Sequence, residues 1–213
     1  LSKDYYCATT LTYFFLEIFI KKIKSSFDIT NYLIYVLLAL VCDVMPLRKI
    51  NRYIGLNIIK DFKIKDNVVF RTLYELCNKR NNLTIEDLGF FIGPIINSGG
   101  RISDSRIAAD LLISENPNFV KAKLNELIRL NNIRKDIEQK ILNEINFAKL
   151  EKENKDVIIY YNPTIKEGLI GIIASRLKDY FNKPSIVITS SQETLKGSAR
   201  STVNYKIGSV IKK

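Results

Sequence analysis

The chain has 213 residues, 46% of them hydrophobic and 26% charged, with a formal net charge of +11. That is enough for one ordinary domain or two small ones with a real core, and it excludes an intrinsically disordered chain. There is no histidine, and the cysteines (Cys7, Cys42 and Cys77) are widely spaced, which excludes a Ser-His-Asp triad, a histidine general base and a disulfide framework.

The cysteine pattern fits a reducing, cytoplasmic setting. The basic excess points first to nucleic acid and second to an anionic membrane surface, while the wealth of Lys, Asn and Ile also fits a biased coding composition. Residues 5–24 are largely apolar and end in Lys21, Lys22 and Lys24, cations suited to a helix C-terminus. Asp28 and Thr30 are candidate caps for a helix carrying the run Tyr32 to Cys42, which Pro46 ends. That run is about half of the roughly 20 residues a spanning helix needs, so a buried helix and no membrane span is expected. Residues 51–62 and 68–80 read as amphipathic helices, broken at Asn81-Asn82, and Thr84 to Asp87 reads as a cap with acids in a first turn. The chain starts in mid-sequence at Leu1-Ser2-Lys3, with no initiator Met or signal-peptide layout, and reads as a fragment.

Residues 93–105 (GPIINSGGRISDS) have the composition of a loop, followed by a short helix from Arg106 to Ile113. Asn116-Pro117 is a strong helix start. Apolar residues then recur at gaps of three and four from Val120 to Ala148, which predicts one long helix with charged outer faces, joining two lobes. Beyond Lys155 the pattern becomes strand (Val157 to Tyr161), helix (Gly168 to Tyr180) and strand (Ser185 to Thr189), a βαβ unit with parallel strands. Thr194 to Ser201 adds a strand or strand-edge loop. The fold class is α/β, with boundaries expected at 1–113, 114–154 and 155–213.

Four constellations carry candidate chemistry. Asp43 closes an apolar segment, where a carboxylate needs a metal, an arginine or a helix N-terminus, or else caps the next turn. Asn97-Ser98-Gly99-Gly100-Arg101 offers backbone amides and a guanidinium to an anion, or is a plain helix-entry turn. Lys196-Gly197-Ser198-Ala199-Arg200-Ser201 places Ser198 and Arg200 on one strand face, suited to a phosphate or sugar edge, or is an exposed polar edge. Glu167 to Arg176 has a small-residue face, Gly168 and Gly171 included, and an N-terminus that suits an anion or close packing.

In this order and spacing the pieces resemble RecJ exonucleases of the Asp-His-His (DHH) phosphoesterase superfamily, over nearly the whole chain. GPIINSGGRISDS resembles their "GP-x-x-N-x-x-GR" segment. EGLIGIIASRL, a Lys-Pro-Ser strand and LKGSARS resemble the paired motifs of the DHH-associated domain. LVCDVMPL followed by Asn51-Arg52 resembles the last metal-ligand motif of the catalytic lobe.

The resemblance implies an incomplete helical catalytic lobe, a long connecting helix and a small α/β lobe with its βαβ unit. It implies a metal-dependent 5′→3′ exonuclease acting on single-stranded DNA in repair and recombination, with manganese or magnesium activating a water. Asp43 would ligate metal. Asn97, Gly99, Gly100, Arg101, Gly168, Arg176, Lys196, Gly197, Ser198, Arg200 and Ser201 would bind the strand. The sequence departs from the pattern at Ala39-Leu40 (Gly-Thr in the family), Ile95 (Arg) and Ile165-Lys166 (Trp-His). The other aspartates and the His-His pair would lie upstream, so a separate chain carrying them is a possible partner, and this chain alone is expected to be inactive. Two other readings stay open: a non-catalytic single-strand-binding remnant, and a DHH phosphodiesterase for short oligonucleotides or cyclic dinucleotides. Missing sequence is also expected to leave apolar surface bare, notably on the Tyr32 to Cys42 helix.

Overall fold

The apolar run folds as helix α2 (Leu33–Cys42), and Ile34, Leu37 and Leu40 on it are fully buried. The computed structural model describes residues 5–79 and 82–211; the Leu1-Ser2-Lys3 start, Arg80 and Asn81 lie outside them. By packing, the chain divides into two units, Leu1–Ile96 with Ala108–Asn125, and Asn97–Ile107 with Glu126–Lys213. The division therefore differs from the boundaries expected at 113 and 154: it passes through three helices, and the Asn97–Ile107 segment groups with the sheet.

The first unit is helical. Around α2 pack α1 (Ala8–Lys22) and α3 (Lys49–Asp61), and α4 (Val68–Leu76) adds buried Phe70, Leu73 and Tyr74 to the core. Asn67 caps α4 by accepting from the Val69 and Phe70 amides at 3.0 and 3.2 Å. The expected cap at Thr84 is reciprocal: the Asp87 amide donates to Thr84 Oγ1 at 3.0 Å, and the Thr84 amide to Asp87 Oδ2 at 3.2 Å. A π-helical turn, Asp87–Ile92, then runs into α5 (Gly93–Ile102). The loop expected at 93–105 is thus mostly helix. Buried Ile92, Ile95 and Gly99 fall at helical spacing, with Gly93 and Ser98 buried beside them, so the small residues form a contact face instead of a break. Helix α6 (Arg106–Ile113) follows as expected. No helix among the described residues is long and apolar enough to cross a membrane. The bare apolar surface lies on α1, where Phe15 and Ile18 are each 66% exposed, and not on buried α2.

Helix α2 ends in a Schellman turn. The Met45 amide donates to Leu40 O at 2.9 Å and the Val44 amide to Val41 O at 3.1 Å, with Val44 in the left-handed region at φ 53°. A β-branched residue there is strained by about 1–2 kcal/mol, and Val44, 87% exposed, gains no burial in return. Val44→Gly is therefore expected to stabilise the protein by about 0.5–1 kcal/mol after the glycine's added chain entropy, a rise of roughly 2 °C in Tm by calorimetry. An unchanged or lower Tm would show that the turn carries no strain.

Asn116 starts α7 (Pro117–Glu144) by accepting from the Asn118 and Phe119 amides at 3.0 and 3.2 Å. The long helix does not continue to Ala148. It stops before buried Ile145, and Asn146 caps a separate α8 (Phe147–Lys152). In the second unit, strands β1 (Ile158–Tyr161) and β2 (Ser185–Ser191) pair in parallel through α9 (Glu167–Phe181), the expected βαβ unit. Strand β3 (Thr194–Arg200) joins antiparallel at the edge, and α10 (Ile207–Ile211) follows. Ile158, Leu169, Ile173, Leu177 and Val187 share one core with Ile141 and Ile145.

Candidate nucleic-acid interface

Sheet register decides which β3 side chains meet α9. Ser185, Val187 and Thr189 are fully buried and pair directly with Arg200, Ser198 and Lys196. Directly paired residues share a sheet face, so Lys196, Ser198 and Arg200 form one row against the helix. The contacts agree. Arg200 Nε donates to Gly171 O at 3.1 Å, and Lys196 Nζ reaches Glu167 Oε2 at 2.6 Å. A Cβ on Gly171 would sit 2.9 Å from Arg200 Nη2 and 3.2 Å from Ser198 Oγ, so the missing side chain is what lets the row close on the helix. Ser191 also bonds Glu167, and with Lys196 it holds that carboxyl below its ordinary range, Lys196 first. Gly197 points to the other face. Ser201 leaves the row: its hydroxyl accepts from the Ile207 amide at 3.2 Å, at the start of α10.

The C-terminal end of α5 meets the N-terminal end of α9. A Cβ on Gly168 would lie 2.5 Å from Arg101 O and 2.7 Å from Arg101 Cα, so only glycine permits this approach. Arg101 Nη1 donates to Gly168 O at 3.1 Å, and Lys166 Nζ to Ile102 O at 3.4 Å. Helical geometry directs the α5 amides along the chain, so Asn97 to Gly100 do not form the amide cradle their composition suggested. Asn97 and Gly100 are exposed and Gly99 is buried, while Ser98 donates to Leu127 O at 2.9 Å.

Arg101 is half-buried. Its pKa is lowered by that burial, then by the guanidiniums of Arg134 and Arg200, with Glu138 opposing. Arginine stays charged; the shift means that an anion here would relieve repulsion. Arg134 and Glu138 lie on α7, a charged face expected to be outside, yet Asn131 and Glu138 are each 6% exposed. Glu138 accepts from Arg134 Nη1 at 2.9 Å and from Arg176 Nε at 2.7 Å. The structure thus gathers Arg101, Lys166, Gly168, Lys196, Ser198 and Arg200 around one helix end, with Arg176 about 12 Å further along α9. Sequence reading missed Arg134, Glu138 and Lys166; the i, i+4 spacing of Arg134 and Glu138 was the available signal.

Asp43 stands apart in the first unit, exposed at the α2 C-terminus, and not in apolar surroundings as the sequence suggested. Among the described residues no group of three or more His, Cys, Asp or Glu is placed to hold a metal. One exposed carboxylate supplies one ligand, so these residues do not fit a metal centre on their own.

No family profile matches the chain. It is 35% identical over 184 residues to the single-stranded-DNA-specific exonuclease RecJ of Salmonella typhimurium, covering 82% of this chain and 32% of that protein. RecJ of Escherichia coli matches at 33% over the same shares, and RecJ of Haemophilus influenzae at 32% over 93% of this chain and 36% of its own length. Among solved structures, Thermus thermophilus RecJ in complex with Mg2+ superposes with a TM-score of 0.75 at 23% identity, over 91% of this chain and 30% of that one. A manganese-bound exonuclease RecJ superposes at 0.73 and 22%, over all of this chain and 54% of that one. The chain spans about a third of the length of the curated relatives it matches. Identity above 30% to several RecJ proteins over most of its length, on a fold that solved RecJ structures share, makes this chain a RecJ-like segment.

Proposed function

We propose that this segment grips the backbone of single-stranded DNA with the cationic face of its second unit, as part of a RecJ-like 5′→3′ exonuclease serving repair and recombination. The observation that carries this is the convergence of Arg101, Lys166, Lys196, Ser198 and Arg200 on the N-terminal end of α9. A helix N-terminus and clustered cations suit phosphates, and charge alone reads no sequence. The reading assigns the second unit to the DHH-associated lobe and the first to part of the catalytic lobe. Asp43 is one manganese or magnesium ligand there, completed by residues outside this sequence, in the same polypeptide or a companion one. The three widely spaced cysteines suit a cytoplasmic setting.

Since the described residues assemble no metal cluster, the segment alone is expected to bind without cleaving. The test is a 5′-labelled single-stranded oligonucleotide with manganese, read for binding across a salt series and for digestion. Three to four phosphate contacts predict a slope of log K against log salt of about −2 to −3, roughly a thirty-fold loss of affinity from 50 to 200 mM. No salt-sensitive binding would sink the proposal. Metal-dependent cleavage lost in Asp43→Ala would show that this chain builds a complete centre.

A further inference from the structure

Glu138 is a carboxylate that the strand-binding face, as described, has no use for. Its side chain is 8% exposed, and burying a lone carboxylate costs several kcal/mol unless it is paired. It is paired twice, one oxygen to each partner. Oε2 takes Arg134 Nη1 at 2.9 Å from one turn back on α7, and Arg134 is itself 13% exposed. Oε1 takes Arg176 Nε at 2.7 Å from α9, whose side chain stays 59% exposed. Arg134 Nε also bonds Asn131 Oδ1 at 3.2 Å, so the buried half of the network is fixed on α7. The exposed half is a guanidinium held by its Nε, which leaves its outer nitrogens outside that bond. A free arginine has many rotamers to lose on binding, and a tethered one has lost them already.

We infer that Glu138 is a positioning residue that presents the Arg176 guanidinium to a backbone phosphate of single-stranded DNA. The inference rests on the strand-binding reading above and adds a contact some two turns further along α9. It makes an unusual sign prediction. Glu138→Gln removes a negative charge from a cationic neighbourhood, so general electrostatics demands tighter DNA binding. Positioning demands weaker binding, because Glu138 gives one oxygen to each guanidinium and glutamine puts a donor NH2 in place of one of them.

The experiment measures oligonucleotide affinity and its salt slope for wild type, Glu138→Gln, Arg176→Lys and the double variant, with Tm for each. Glu138→Gln is expected to weaken binding about five-fold near 0.1 M salt and to shallow the slope by about 0.7, one phosphate's worth. Arg176→Lys keeps the charge but loses the fork, and is expected to weaken binding by a similar factor. The double variant is expected to bind no worse than either single one, because both disrupt one contact. Tighter or unchanged binding in Glu138→Gln overturns the inference, as does full affinity in Arg176→Lys. If Glu138→Gln does not fold, the exposed Arg176→Lys decides alone. Wild type without salt-sensitive binding removes the functional reading and this inference together; wild-type binding that Arg176→Lys leaves intact removes only this one.

Discussion

Gly168→Ala is expected to destabilise the second unit by about 2–3 kcal/mol, lowering Tm by roughly 5–10 °C, and to weaken oligonucleotide binding further than the lost stability explains. The added methyl would lie 2.5, 2.7 and 3.0 Å from the O, Cα and C of Arg101. All three are backbone atoms, so no rotamer change relieves the clash. The start of α9 has to move away from the end of α5, which breaks the Arg101–Gly168 and Lys166–Ile102 bonds. Gly171→Ala is the control, because its methyl would meet the ends of the Arg200 and Ser198 side chains. Those swing aside cheaply, so Tm is expected to hold while Arg200 loses its seat and affinity falls. Thermal melts and binding isotherms for both variants check this. A Gly168→Ala protein melting within about 1 °C of wild type would show that the two helix ends are not in tight contact.

The parts of the fold legible in sequence were those set by local chemistry. Asn116-Pro117 marks a helix start because Asn accepts from two free amides and Pro fits the first turn. The βαβ unit is legible because short β-branched runs flank a helical pattern of workable length. The antiparallel register of β2 and β3 also places Ser198 and Arg200 on one face, as alternation required. Two of the failures share a cause: burial created by a distant partner. Glycine and serine at 98–100 read as breakers, yet in α5 they are where other chain segments come close, Leu127 among them. Glu138 reads as solvent-facing because its second partner, Arg176, is 38 residues away. Asp43 erred in the other direction. The apolar run before it is buried through Leu40, but burial fades over Val41 and Cys42, the helix stops at Cys42, and the carboxylate turns out to water.

Arg200→Ala is expected to weaken single-stranded DNA binding about five-fold near 0.1 M salt, and Arg101→Ala/Arg200→Ala about twenty- to thirty-fold, with the slope shallower by about 0.7 and 1.4. Arg200 gives its Nε to Gly171 O, and Arg101 gives one Nη1 hydrogen to Gly168 O, so each guanidinium is anchored on α9 and keeps donors for phosphate. The Arg200 guanidinium adds to the cost of charge on half-buried Arg101, and a phosphate beside them would lower that cost. Arg200, exposed on an edge strand, is expected to leave Tm nearly unchanged on truncation; half-buried Arg101 is expected to lower it modestly. Lys196→Ala tests the same face differently. It leaves Glu167 unneutralised at the helix N-terminus, a new repulsion toward phosphate, although an exposed pair of this kind adds less than about 1 kcal/mol to stability. Affinity lost equally across oligonucleotide sequences, together with the shallower slope, is the signature of backbone contacts. Lost affinity with an unchanged slope would mean that these arginines act through the packing of α9 and not on the strand.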